Sequence, residues 1–205
     1  MCRSTLVSLL AFVTGLGAPS GGIAAPPLPS GTITCVVHGD VDQGGGRWRL
    51  RFSPWLTSTP NPRRTRIDTI LKGTCDGSGV SGATAPITNV KAYLVGKLPA
   101  GSSCSTLPTA MAVDQLRIRI IWQTTDGISP PHKVATSTAK LGSAQWDGGL
   151  AGPVFTNGPL KGAFGGSTST LKLSMDYPQA FGSGCTGPLD GDAYGDDGNS
   201  SLTIP

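Results

Sequence analysis

The chain has 205 residues and a formal net charge of +4, with sixteen Lys and Arg against twelve acids that are all Asp. Thirty glycines, seventeen prolines and the lack of any Glu disfavour helix interiors and favour turns, so a chain poor in helix is expected. The length suits one domain with its own core, and so modest a net charge does not by itself mark a nucleic-acid or membrane binder.

Residues 1–25 read as a secretory signal peptide. Arg3 supplies the positive n-region and Leu6–Ala18 the apolar h-region. Gly22-Ile23-Ala24 or Ile23-Ala24-Ala25 supplies the small-residue cleavage site. The h-region falls short of the roughly 20 apolar residues that cross a bilayer. No later run reaches that length, so no transmembrane anchor is expected. The expected location is secreted or extracellular, with association at the cell wall left open. Residues 26–31 form a Pro-rich lead-in expected to be extended and mobile, and residues 32–205 a single β domain.

Beyond the leader stand Cys35, Cys75, Cys104 and Cys185. An even count in an exported chain reads as two disulfides, and sequence alone leaves three pairings open. Cys35–Cys75 with Cys104–Cys185 is the pairing expected.

In chain order, Thr32–Val37 is the first strand expected. Arg47–Phe52 follows with strict alternation, placing Trp48, Leu50 and Phe52 on one side and three arginines on the other. Ile67–Leu71, Val90–Val95, Leu116–Trp122, Val134–Thr138, Leu160–Phe164, Leu171–Met175 and Ser201–Ile204 complete about nine strands. One polar and one apolar face per strand suits an antiparallel sheet buried on one side. The fold class is therefore all-β: a single antiparallel β-sandwich, with a closed barrel as second choice.

Several short motifs accompany this pattern: Cys35 soon after the leader, Phe52-Ser53-Pro54-Trp55-Leu56-Thr57, and Lys72-Gly73-Thr74-Cys75. Ile120-Ile121-Trp122 and Gly184-Cys185-Thr186 extend them. Together they resemble a group of exported β-proteins of actinobacterial type, over most of the mature chain. The resemblance implies a secreted all-β fold and supplies no activity. The alternating arginines are more basic than that group's usual strands.

The candidate chemistry is sparse. His38 and His132 are the two histidines, and no Gly-x-Ser-x-Gly elbow exists. A secreted hydrolase would have to combine Asp147 or Asp176 with His38 or His132. Two histidines and disulfide-committed cysteines make no zinc site. Asp190-Gly191-Asp192 through Asp196-Asp197-Gly198 matches part of a calcium loop but lacks its twelfth-position Glu and flanking helices. Asp190, Asp192 and Asp196 are thus low-affinity calcium candidates, against the plainer reading of a solvated acidic turn. No other cofactor is implied.

The arginines are the most physical of the candidates, weighed against the plainer reading of a solvated outer face whose charges are offset by Asp68, by Asp176 or by the acidic C-terminal loop. Arg47, Arg49 and Arg51 share one strand face, and Arg117 and Arg119 share another. Brought together they would want an anion, since like charges facing each other across a sheet are unfavourable. The partners this points to are an acidic polysaccharide, a cell-wall polymer or another surface protein. Nucleic acid is disfavoured, because no recognition helix or RNP-like aromatic motif accompanies the arginines. Trp55 and Trp146 lie beside turn signals and could stack on a neutral glycan; Trp48 and Trp122 read as core. The expectation is an extracellular or envelope interaction module, with a hydrolase as the rival.

Overall fold

The period-two runs become strands in which buried and exposed residues alternate, and the side left apolar points inward. The computed structural model describes residues 26–39, 48–54, 56–103, 106, 116–125, 130–147, 152–174, 192–195 and 200–205. Along these the elements are β1 (Ser30–Gly31), β2 (Ile33–His38), β3 (Trp48–Ser53), β4 (Thr65–Asp76), β5 (Val80–Ser81), β6 (Asn89–Leu98) and β7 (Arg117–Thr124). They continue with β8 (His132–Asp147), β9 (Gly152–Asn157), β10 (Lys161–Gly162), β11 (Ser169–Lys172), β12 (Asp192–Gly195) and β13 (Ser201–Ile204).

Eight of these strands close into a ring. In the order β2, β4, β6, β7, β8, β9, β11, β13, each pairs antiparallel with the next, and β13 pairs back onto β2. It is an up-and-down meander. β4 makes closure feasible because it is long: β6 lies along one edge from Thr65 to Thr74. Its other edge is shared, with β3 against Arg66–Asp68 and β2 against Lys72–Asp76. β3, with β12 beyond it, therefore lies outside the ring, as does β10 beside β8.

The sequence ranked a sandwich first and a closed barrel second. At the level of strand pairing the second is realised, because the ring leaves no free edge between two halves. A flattened barrel and a sandwich differ in cross-section rather than in these ladders.

The interior is filled by large side chains, among them Trp122, Phe155, Phe164, Leu71 and Leu94, all essentially inaccessible. Phe164 arrives from the turn after β10 and meets Trp122 edge-on, with ring centroids 4.9 Å apart. It does so at a left-handed φ of 56°, which an aromatic residue adopts only when its surroundings impose it. One of those constraints is the lead-in, since the Phe164 N–H donates to the Pro29 carbonyl at 2.6 Å.

Three expectations change here. Residues 26–31 do not stand free: Pro29 is buried, and Ser30–Gly31 pairs with Val80–Ser81. Leu160–Phe164 is mostly a turn, with Lys161–Gly162 alone paired to β8, because Gly162 and Phe164 both take positive φ. β9 was not anticipated at all; its Gly152-Pro153 start hides the alternation that follows.

Of the two expected disulfides, Cys35–Cys75 is formed, between directly opposed residues of β2 and β4. Cys104 and Cys185 lie outside the described residues.

Candidate functional site

The outer face of β4, β6, β7 and β8 is built by register. Pairing aligns Asp68, Val95, Arg117 and Lys140 in one row across four strands. The next row holds Ile70, Tyr93, Arg119 and Thr138, and β10 extends it with Lys161. Residues opposed in an antiparallel ladder point to the same face, so these rows form one surface. Their partners in the alternation, Ile67, Leu94, Ile118 and Ala139, fill the interior.

This surface is crowded with like charges. Arg117 is opposite Lys140, Arg66 opposite Lys97, and Lys72 opposite Lys91. Each such pairing is unfavourable in isolation. Arg66 is relieved by Asp68, whose carboxylate lies 3.3 Å from its Nε.

Between β7–β8 and the Gly158–Lys161 segment the surface sinks into an open groove of ≈ 980 Å³. Four cations reach it, Arg117, Arg119, Lys140 and Lys161, and no acidic residue is among its described lining. Tyr93 and Val95 form one wall and Pro159 the other, with Thr138 on the floor between. All four cations are exposed, so a ligand can reach them without displacing other parts of the protein. The groove can hold an anion by direct charge-assisted hydrogen bonds.

Of the five arginines expected to act together, Arg117 and Arg119 are in this groove. Arg51 joins the same transverse row on the far side of Asp68, three strand steps from Arg117 or about 14 Å. It is not in the groove lining, and Asp192 of β12 is its register partner on the other side. The arginine pair and Arg51 are thus separated by an acid. Arg49 lies in β3, paired along the backbone with Tyr194, and Arg47 lies outside the described residues. Lys140, Lys161 and Tyr93 were not singled out from sequence, since only cross-strand register brings them beside Arg117 and Arg119.

The aromatic candidates do not assemble among the described residues. Trp55 is outside them, and Trp146 is placed by its backbone alone, opposite Pro153. Trp122 is in the core, as its alternation implies.

The acidic segment is not wholly an irregular loop. Asp192–Gly195 forms β12 on the edge of β3, while Asp190 and Asp196 lie outside the described residues. No group of three His, Cys, Asp or Glu side chains clusters among the described residues.

The histidines are apart from the groove. His38 is half-buried and donates from Nδ1 to the Gly39 carbonyl at 2.8 Å. His132 is exposed at the start of β8, opposite Thr124. Asp176 lies outside the described residues, and Asp147 is placed by its backbone alone, opposite Gly152. No helix among the described residues is long and apolar enough to cross a membrane. No family model, curated protein or solved structure matches the chain.

Proposed function

We propose that the protein is a secreted or envelope-associated interaction module that holds an anionic polymer on the outer face of β6, β7 and β8. The observation that carries this reading is one groove containing Arg117, Arg119, Lys140 and Lys161, with no acid among its described lining. Like charges opposed at Arg117–Lys140 reduce stability, and an anion between them turns that repulsion into attraction. Fork-shaped guanidiniums suit carboxylate, sulfate or phosphate oxygens.

The test is co-sedimentation of the oxidised domain with cell-wall sacculi and with soluble acidic and neutral polysaccharides, across a salt series. Binding to acidic polymers should weaken steadily with salt, because contacts between exposed charges are screened over about 8–10 Å at these ionic strengths. Replacing Arg117 and Arg119 together with Gln should lower affinity at least about tenfold, given roughly 1.5–3 kcal/mol for a hydrogen bond to a charged group. Salt-resistant binding to a neutral glycan, unaffected by that double change, would sink the reading.

A further inference from the structure

The groove offers apolar surface as well as charge, and this second property narrows the ligand. Resting on the anion-binding reading above, we propose that the polymer is an acidic polysaccharide whose sugar rings lie against Tyr93 and Val95 while its carboxylates meet the four cations.

The outer face carries an apolar strip where a solvated surface would have polar side chains. Ile70 is 37 % exposed and Val95 is 42 % exposed. Tyr93 lies between them in register, opposite Ile70 on β4 and two residues before Val95 on β6. Rows of like charge bound this strip along the strands, Lys72 with Lys91 on one side and Arg66 with Lys97 on the other. The Lys91 ammonium stands 5.4 Å from the Tyr93 ring centroid and is not part of the groove lining. It steadies the ring from outside the groove through a cation–π contact, and the rest of the ring is left to form the wall.

A polyphosphate is polar all round, and covering Tyr93 and Val95 with it removes water from apolar surface for no matching contact. A pyranose is amphipathic in the same sense as the groove. Its faces are C–H groups, and its acid and hydroxyls project at the rim. With Tyr93 and Val95 as one wall and Pro159 as the other, rings meet apolar surface on both sides while their rims face Arg117, Arg119, Lys140 and Lys161.

The cations also line up along one direction. Arg117 and Arg119 are two residues apart on one strand, about 6.6–6.8 Å, so a chain running along the strand meets both in succession. Tyr93 and Lys161 close the same row three strand steps apart, about 14 Å, so a single saccharide chain enters between them. A bilayer is a flat surface and does not follow a recess of this shape.

Two polyanions of matched charge separate the ideas: polygalacturonate, with carboxylates on rings, and inorganic polyphosphate. Titration calorimetry compares the wild type, Tyr93→Ala, Tyr93→Leu and the Arg117→Gln/Arg119→Gln double variant, each checked for native near-ultraviolet dichroism. The wild type is expected to bind polygalacturonate, and Tyr93→Ala should weaken that binding about tenfold more than it weakens polyphosphate. Tyr93→Leu, which keeps apolar cover on the strand but no flat ring, should show the same direction. If polyphosphate binds as tightly as polygalacturonate and neither Tyr93 variant discriminates between them, the polysaccharide proposal is overturned while anion binding stands. Should the wild type bind neither polymer, both readings fall.

Discussion

Ser137 satisfies two buried groups at once. The Trp122 indole Nε1–H donates to its Oγ at 2.8 Å, and that Oγ donates to the Ala163 carbonyl at 2.6 Å. With Ser137 fully buried, water cannot stand in for either contact. Ser137→Ala should therefore strand a donor and an acceptor together and cost about 2–6 kcal/mol, since each orphaned polar group costs roughly 1–3 kcal/mol. Chemical denaturation with unchanged slope measures this, and a loss below about 1 kcal/mol would mean the relay is dispensable. Lys140 shows the opposite balance. It faces Arg117 across the ladder, so Lys140→Gln should raise stability by a few tenths of a kcal/mol, as expected for relieving opposed like charges. The gain should shrink as salt rises, while affinity for an anionic polymer falls. A substitution that stabilises the fold and weakens binding is the signature of a residue kept for a ligand.

At the scale of elements, β4 sets the geometry. Its edge passes from β3 to β2 within a few residues, and Gly73, opposite Val37, sits at the approach. A Cβ at Gly73 would run into the Val36 carbonyl, which belongs to backbone and cannot swing aside. Gly73→Ala should cost about 1–3 kcal/mol through this overpacking, seen as a lower unfolding midpoint; an unchanged midpoint would show that β2 can shift away. Strands with clean alternation, such as Ile33–His38 and Trp48–Ser53, were legible from sequence because apolar and polar residues alternate along them, with Ile33, Cys35, Val37, Leu50 and Phe52 buried. Lengths were not. β8 continues to Asp147 past a register irregularity between Leu141 and Ser143, and the Gly142-Ser143 step breaks the period that sequence reading relies on. Leu160–Phe164 misled for the converse reason: Leu160, Ala163 and Phe164 are apolar and buried, yet they fill the interior from a turn instead of extending a sheet.

For the molecule as a whole, half of the candidate groove could be read in advance. Arg117 and Arg119 announce a charged strand face by spacing alone. Lys140, Lys161 and Tyr93 come from three other strands, and their proximity is a property of register, which no local pattern encodes. The disulfide also acts at this scale. Cys35 and Cys75 are separated by 40 residues and enclose β3 with most of β4. A loop of that length is worth about 4 kcal/mol in the chain-entropy model, with measured values commonly 2–4 kcal/mol. Reducing the bond, or replacing both cysteines with Ala, should lower the unfolding free energy by that amount while leaving the β dichroism intact. Collapse of the sheet itself would show that the staple is needed to form β2–β4 pairing at all.

Barrel closure also decides when during its synthesis the protein can be complete. Ribosomes deliver the chain from its first residue, and the meander lets β2, β4, β6 and the strands after them pair in the order they emerge. β2 then has one satisfied edge and one open edge until Ser201–Ile204, the last strand described, arrives to pair with it. Every described strand but one could be in place with the ring still open, Leu202 and Ile204 being the last of the described core side chains to enter. During that interval the free side of β2 offers unpaired backbone and the exposed Val36, the features that invite strand exchange between neighbouring copies. Ser201–Ile204 is thus a latch, and a stalled or clipped product without that strand would be a sticky open sheet.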